Sequence, residues 1–164
     1  MKQRAYLSLG SNLGNRSANL REGIGRLASL GTIVMVSGAY ETEPVDTDIA
    51  QPLFLNCAVA LDTELAPKRL LTSTLAIEEI MGRRRDKQKG PRTLDIDIIL
   101  FGNLVVGANG LTIPHPAMHR RRFVLEPLAE IAPLACHPVL KKTVSELLAA
   151  LPADSGRVRK FTGE

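Results

Sequence analysis

Residues 90–101 read Gly-Pro-Arg-Thr-Leu-Asp-Ile-Asp-Ile-Ile-Leu-Phe, and this stretch predicts a strand with two unlike faces. Alternation places four aliphatic side chains on one face, namely Leu94, Ile96, Ile98 and Leu100. Asp95 and Asp97 fall on the other face, about 6.6–6.8 Å apart along the strand. A slip of one residue would bury both carboxylates, so the pattern fixes the side to which they point.

The acidic face has two interpretations. A strand whose outer face is simply solvated carries such residues without any function. Alternatively, a rigid pair of carboxylates suits Mg²⁺, which takes one or two protein carboxylates and completes its octahedron with waters and substrate phosphates. Other features of the sequence must distinguish a solvated strand from a magnesium site.

Length and composition predict one domain, residues 1–164, long enough to bury about two-thirds of its unfolded surface. The net charge of +4 fits an anionic ligand, either a nucleotide or a nucleic acid. Four Phe, two Tyr and no Trp leave few platforms for stacking single-stranded nucleic acid. No signal-peptide pattern and no run of membrane-spanning length is present, so we expect a cytoplasmic protein. Cys57 and Cys136 are expected to be buried thiols.

Strand and helix patterns alternate along the first hundred residues. Strand patterns cover residues 4–9, 32–42, 55–61 and 94–100. Helical spacing follows residues 20–30 and resumes at Pro67, with Gly31 and Gly82 as terminators. The order βαββαβ predicts an α+β fold with a ferredoxin-like core. A C-terminal hairpin near residues 102–107 and helices near 122–130 and after Thr143 are expected to follow.

Two basic clusters, residues 83–92 and 120–122, are ordinarily read as solvated surface. Beside an acidic pair they suggest phosphoryl transfer, which is catalysed by positioning and by neutralising negative charge with Arg and Mg²⁺. The chain has no Walker-type phosphate loop, and residues 23–28 match the dinucleotide fingerprint only by letter, inside a predicted helix. Any nucleotide must therefore be held by side chains and metal.

Six segments together resemble the family of 6-hydroxymethyl-7,8-dihydropterin pyrophosphokinases, which act in folate synthesis. In chain order they are Tyr6-Leu-Ser-Leu-Gly-Ser-Asn-Leu-Gly14, Tyr40-Glu-Thr-Glu-Pro44, Gln51-Pro-Leu-Phe-Leu-Asn-Cys-Ala58, Gly82-Arg-Arg-Arg85, Gly90-Pro-Arg-Thr-Leu-Asp-Ile-Asp97 and Pro114-His-Pro-Ala-Met-His-Arg-Arg-Arg-Phe-Val-Leu-Glu-Pro127. The resemblance covers residues 5 to about 135 in the family's order and spacing.

The resemblance implies Mg²⁺-dependent transfer of pyrophosphate from ATP to the hydroxymethyl group of the pterin, with release of AMP. It implies that Asp95 and Asp97 bind two Mg²⁺ ions, with Arg83 and Arg92 beside them as catalytic residues. The implied pterin contacts are Thr42, Pro44, Val45, Phe54, Asn56 and Phe123, the two phenylalanines enclosing the ring. The implied ATP contacts are Glu78, Arg85, Lys89, Ile98, His115 and Arg121.

The chain departs from the family pattern in the basic loop. The family commonly has an aromatic residue directly before Gly-Pro-Arg, where this chain has Lys89, and the loop is shorter by about one residue. Closure over the substrates would then rely more on charge than on stacking. We therefore hypothesise that Lys89 contacts nucleotide phosphate in the closed state.

Two other functions stay open on the residues alone. A ferredoxin-like RNA-binding domain would suit the fold and the charge, although the aromatic RNA-binding signature is missing. A metal-dependent nucleotide hydrolase would use the same acidic pair. The expected partners are small molecules only, with no nucleic acid and no membrane, and the chain is expected to be a monomer.

Overall fold

The computed structural model describes residues 1–44, 50–82, 91–108 and 110–163. Its strands are β1 (Gln3–Ser11), β2 (Thr32–Val36), β3 (Tyr40–Thr42), β4 (Phe54–Thr63), β5 (Asp95–Phe101), β6 (Val106–Ala108), β7 (Leu111–Ile113) and β8 (Val158–Lys160). The main sheet has the order β5-β1-β4-β3-β8, with β2 also paired to β4, and its pairings are antiparallel. The sheet order and the element order confirm the predicted ferredoxin-like α+β core.

Two helices cover one face of the sheet. They are α1 (Arg16–Leu27) and α2 (Pro67–Ile80), and they enclose a core with aliphatic residues of β1, β4 and β5. The side chain of Asn15 caps α1 by accepting the N–H of Ala18 at 3.1 Å. Pro67 begins α2, where its missing N–H costs no hydrogen bond. Gly82 follows α2 with a φ of +95°, as expected of a helix terminator.

Strand β5 alternates as predicted only as far as Ile98. Leu94, Ile96 and Ile98 belong to the core beneath α1 and α2, whereas Leu100 packs in the cluster on the opposite face, so its predicted side is wrong. The register against β1 shifts here, because Leu7 pairs with Ile98 and Tyr6 pairs with Leu100. This β-bulge inserts one extra residue into β5, so the side chain of Leu100 projects from the face opposite to the predicted one.

The second face of the sheet packs against α3 (Arg122–Ile131) and α4 (Val144–Ala149), which confirms the two C-terminal helices. Thr143 and Glu146 form the predicted capping box at the start of α4. A turn of 3₁₀ helix, Met118–Arg120, leads into α3. This face has room for a site because α3 and α4 pack over only part of the sheet, leaving Asp95 and Asp97 partly exposed.

Two further sequence expectations differ from the structure, and one strand was not expected. The predicted strand over residues 32–42 is divided into β2 and β3, because the hydroxyl of Ser37 takes the place of a backbone acceptor and receives the N–H of Ala58 at 2.8 Å. The hairpin lies at β6 and β7, later than predicted, because Gly110 with a φ of +80° supplies its turn. Strand β8 has no counterpart in the prediction.

Cys57 is buried in the core as expected, while Cys136 is exposed in the loop between α3 and α4, so the second expectation is wrong. Burial raises the pKa of Cys57 to about 12, which leaves it an inert thiol. Among the residues with described positions, no helix is both long enough and apolar enough to cross a bilayer.

Candidate active site

A row of residues across four strands forms the floor of the candidate site. Asp95 of β5 lies opposite Gly10 of β1, and Gly10 lies opposite Asn56 of β4. Asn56 in turn lies opposite Tyr40 of β3. Residues directly opposite one another in an antiparallel sheet project from the same face. That face is the one beside α3, because Ala58, two residues along β4 from Asn56, packs in the α3 cluster.

Asp95 and Asp97 occupy one end of this floor, both partly exposed and both on the face of β5 away from its core. Nη1 of Arg92 lies 3.4 Å from Oδ2 of Asp95, so a positive charge adjoins the pair. Within the four described ranges, no three His, Cys, Asp or Glu side chains converge into a metal cage. A hard cation here would use two carboxylates and draw its other ligands from water or substrate, as Mg²⁺ does. The pair therefore fits Mg²⁺.

The other end of the floor is shaped around Asn56, which is 4% exposed. Its Nδ2 donates to the hydroxyl of Thr42 at 2.6 Å, which orients the amide. Gly10 lies beneath the amide oxygen, and a β-carbon on Gly10 would stand only 2.5 Å from Oδ1 of Asn56 and 3.3 Å from Cδ1 of Phe54. A side chain at position 10 would thus displace two of the residues expected to bind pterin. Sequence reasoning assigned no role to Gly10.

Each of the two phenylalanines expected to enclose the pterin carries an arginine over its ring. The guanidinium carbon of Arg92 lies 5.6 Å from the ring centroid of Phe54, and that of Arg121 lies 5.4 Å from the ring centroid of Phe123. Phe54 and Phe123 are both partly exposed. Cation–π contact holds each arginine against an aromatic surface, and Arg92 also lies beside the acidic pair.

Asn12 is a second residue that sequence reasoning missed. It is 1% exposed, and its Oδ1 accepts the N–H of Arg92 at 2.8 Å while its own N–H donates to the carbonyl of Arg92 at 3.1 Å. Its Nδ2 donates to Oε1 of Gln51 at 2.8 Å and to the carbonyl of Pro52 at 3.1 Å. Asn12 therefore joins the segment that leads into β5 to the segment that leads to Phe54. The signal available was its place in the first of the six resembling segments.

His115 follows β7 and is partly buried. Its Nδ1 accepts the N–H of Ala117 at 3.1 Å, so in the neutral ring the proton is on Nε2. Burial, and then the charge of Arg121, lower the pKa of His115 to about 4, against a smaller opposing effect of Asp95. His115 is thus a neutral N–H donor at physiological pH, close enough to Arg121 and Asp95 to feel both charges.

Glu78 and Ile98, both expected at ATP, are buried at 5% exposure each. Oε2 of Glu78 accepts the backbone N–H of Ile96 at 2.6 Å, so α2 satisfies a donor on the outer edge of β5. The side chain of Ile98 packs in the core, which leaves its backbone as the part that could meet a ligand. Both residues support the strand that carries the acidic pair.

The three arginines of residues 120–122 have different surroundings. Arg120 is exposed, and Arg121 lies over Phe123. Arg122 donates to Oγ of Ser155 and to the carbonyl of Pro152, each at 3.1 Å, and so holds the C-terminal segment against α3. The structure thus places Arg121, the predicted ATP contact, beside the site.

Of the remaining expected site residues, Pro44 is partly buried two positions after Thr42. Val45, Arg83, Arg85 and Lys89 lie outside the described residues. The described members of the set lie on or beside β3, β4 and β5, on α2, and in or just before the first turn of α3. The floor brings Thr42, Asn56, Asp95 and Asp97 to one face of the sheet.

Comparison with known proteins adds to this geometry. The family model of 7,8-dihydro-6-hydroxymethylpterin-pyrophosphokinase matches residues 6–133. A 2-amino-4-hydroxy-6-hydroxymethyldihydropteridine pyrophosphokinase of Bacillus subtilis (strain 168) is 44% identical over 147 residues, which cover 88% of this chain and 85% of the relative. The protein of the same name from Methylorubrum extorquens is 46% identical over 151 residues, which cover 90% of this chain and 93% of the relative.

Among solved structures, Plasmodium falciparum HPPK-DHPS with pteroate superposes with a TM-score of 0.74 at 19% identity. The match covers 91% of this chain and 42% of that longer chain, and it bears on the fold alone. The family model, the two relatives and the solved structure each match most of this sequence. The chain belongs to the family of 7,8-dihydro-6-hydroxymethylpterin pyrophosphokinases.

Proposed function

We propose that this chain transfers a pyrophosphoryl group from ATP to the hydroxymethyl group of 6-hydroxymethyl-7,8-dihydropterin, in folate biosynthesis. The pterin oxygen forms a bond to the β-phosphorus, the bond from that phosphorus to the oxygen bridging the α-phosphate breaks, and AMP leaves while the hydroxyl proton is released. Membership of a pyrophosphokinase family supports the reaction. The observation that carries it is the placement of Asp95 and Asp97 on the same sheet face as Asn56.

Asp95 and Asp97 would hold magnesium, and we propose two ions, as the family resemblance implies. Bound Mg²⁺ would neutralise charge on the transferring phosphates and align them. The residues of the chain contribute in their own right. Rigid placement on a strand with a buried face keeps both carboxylates fixed while substrates bind. Arg92, 3.4 Å from Asp95, offsets negative charge near the same point.

At the other end of the floor, Phe54 and Phe123 would enclose the pterin ring, and Asn56 with Thr42 and Pro44 would meet its polar edge. An amide already oriented by Thr42 suits this task, because little side-chain freedom is lost when the ligand binds. We extend the proposal to Val45 on the basis of the resemblance.

The phosphate end would use Arg92, Arg121 and His115. Arginine grips phosphate oxygens in pairs, and the neutral Nε2–H of His115 can donate without adding charge. Arg83, Arg85 and Lys89 remain proposed nucleotide contacts by resemblance, as do Glu78 and the backbone of Ile98. We also propose that the chain forms a single domain, is monomeric and cytoplasmic, and binds no nucleic acid.

The decisive experiment is an AMP-release assay with ATP, Mg²⁺ and hydroxymethyldihydropterin. We expect AMP only when the pterin is supplied, and we expect Asp97→Ala to lower the rate roughly 10²- to 10³-fold. Asp62→Ala is the matched control, because Asp62 lies on the same sheet but pairs with Arg4 instead. Pterin-independent breakdown of ATP would favour a hydrolase, and binding of generic RNA in a gel shift without Mg²⁺ would favour an RNA-binding domain.

A further inference from the structure

On the opposite face of the sheet, behind the pterin end of the floor, Arg16 touches three separate segments. Its Nη1 donates to the carbonyl of Leu53 at 3.1 Å and lies 2.9 Å from Oε2 of Glu41. Its guanidinium carbon lies 5.5 Å from the centroid of the Phe161 ring. Arg16 is the first residue of α1, so these contacts tie the start of that helix to β3, to the approach to β4 and to the C-terminal segment.

Glu41 is held from two sides. Nη2 of Arg159 on β8 lies 2.9 Å from Oε1 of Glu41, while Arg16 takes the other oxygen. The hydrogen bonds from Arg159 and Arg16 hold the pKa of this carboxyl below its usual range, so it stays ionised. The N–H of Phe161 also donates to the carbonyl of Ala39 at 2.8 Å, which fixes β8 and the residue after it along β3.

The positions that Arg16 contacts are the direct neighbours of two proposed pterin contacts. Glu41 precedes Thr42, and Leu53 precedes Phe54. β3 and β4 pair over only three residues each, with Thr42 opposite Phe54 at the end of the pairing. Such a short pairing contains few backbone hydrogen bonds to hold Thr42 and Phe54 in place. The additional bridge through Arg16 should therefore contribute strongly to their spacing.

We propose that Arg16, acting through Glu41 and the carbonyl of Leu53, is a positioning residue that sets the spacing of Thr42 and Phe54 for the pterin. The inference rests on the proposed function, because it assigns the effect of Arg16 to one of the two substrates of that reaction. It requires no contact between Arg16 and either substrate.

The same helix offers a contrast. Arg26 pairs with Glu22 at 2.9 Å within α1, and their side chains are 40% and 53% exposed, against 24% and 16% for Arg16 and Glu41. An exposed pair within one helix has a small effect and no route to the site. Arg16, by contrast, bridges elements that are distant in sequence, and less of its pair is open to solvent.

The test compares Arg16→Met, which keeps an unbranched stem against Phe161 but removes the donors, with Arg26→Met as the matched control. We expect Arg16→Met to raise the KM for hydroxymethyldihydropterin about three- to ten-fold. This is less than the roughly 10²-fold loss of activity that a misplacement of about 1 Å can cause, because we expect Thr42 and Phe54 to shift by less than that. The KM for ATP and kcat should stay within about two-fold. Arg16→Lys should recover part of the loss, and Arg26→Met should match the parent protein.

Glu41→Gln is the second variant, since it keeps the shape of the side chain and removes its charge, and it decides the matter if Arg16→Met does not fold. An unchanged pterin KM in the variant that folds would overturn the inference, and so would an equal rise in KM for both substrates. A parent protein that releases no AMP would instead refute the proposed function itself, and the inference with it.

Discussion

Nδ2 of Asn56 donates to the hydroxyl of Thr42 at 2.6 Å, and both side chains are buried, at 4% and 3% exposure. This hydrogen bond links β4 to β3 and orients the Asn56 amide with its NH2 group toward Thr42. A buried amide that loses such a partner must either reorient or stay unsatisfied, and either costs free energy. The proposed pterin edge is therefore ordered before any ligand arrives.

Thr42→Val tests this relationship, because valine keeps the volume and removes the acceptor. We expect the free energy of unfolding to fall by about 1–2 kcal/mol and the pterin KM to rise about ten-fold. Urea unfolding and initial rates at varied pterin measure the two effects. Thr42→Ser keeps the hydroxyl and should retain most of the pterin affinity; equal behaviour of the two variants would show that the hydroxyl has no part in binding.

Gly10→Ala should harm the site more than the fold. The added carbon would meet Oδ1 of Asn56 at 2.5 Å, so the amide has to move, and the 3.3 Å contact with Phe54 also tightens. We expect the pterin KM to rise at least about ten-fold, with a smaller change in the KM for ATP. Crystallographic or NMR comparison of the Asn56 side chain would locate the displacement.

The matched control for Gly10→Ala is Gly25→Ala. Gly25 lies within α1, and apart from the adjacent helix backbone no atom of the described residues lies within 4 Å of the carbon that alanine would add. Alanine there should stabilise the helix by about 0.5–1 kcal/mol and leave both KM values as in the parent. A pterin KM that changes equally in both variants would show that loss of glycine, rather than the collision with Asn56, is responsible.

Asn12→Ala should affect both substrates, because Asn12 joins the segment leading into β5 to the segment leading to Phe54. Loss of a buried side chain that makes three hydrogen bonds should lower the free energy of unfolding by about 2–3 kcal/mol. Below the unfolding transition, kcat/KM for ATP and for pterin should both fall. Asn19→Ala is the control, since the described side-chain bonds of Asn19 go to Ser11 and Leu13, between β1 and α1, and reach neither β5 nor the segment leading to Phe54. A loss confined to one substrate would argue against a joint role.

Local pattern was enough to predict much of this arrangement. Alternation placed Asp95 and Asp97 on the face away from Ile96 and Ile98, and the structure agrees. Pro67 and the Thr143 capping box marked helix starts that the structure confirms. Such features depend on a few neighbouring residues, which is why a single sequence reveals them.

What sequence could not supply depends on contacts between distant segments. Strand β8 has little strand pattern of its own and exists because it pairs with β3. The bulge in β5 is a property of its register against β1, which no alternation predicts. Asn12 reads as one more polar residue in a turn until its bonds to Arg92 and Gln51 are seen. Long-range pairing decides each of these cases.

His115 gives the protein a stability that depends on pH. The folded pKa is about 4 and the ordinary value 6.5, so between these limits the unfolded chain binds a proton that the folded chain does not. The contribution of neutral His115 to the free energy of unfolding is therefore complete above about pH 7, and it is lost as the pH falls from 6.5 towards 4. His115→Asn removes the titrating group and keeps an acceptor near the N–H of Ala117. Urea unfolding from about pH 7 to about pH 5 should show a smaller loss of stability in His115→Asn than in the parent, and parallel curves would mean that the imidazole titrates normally in the fold.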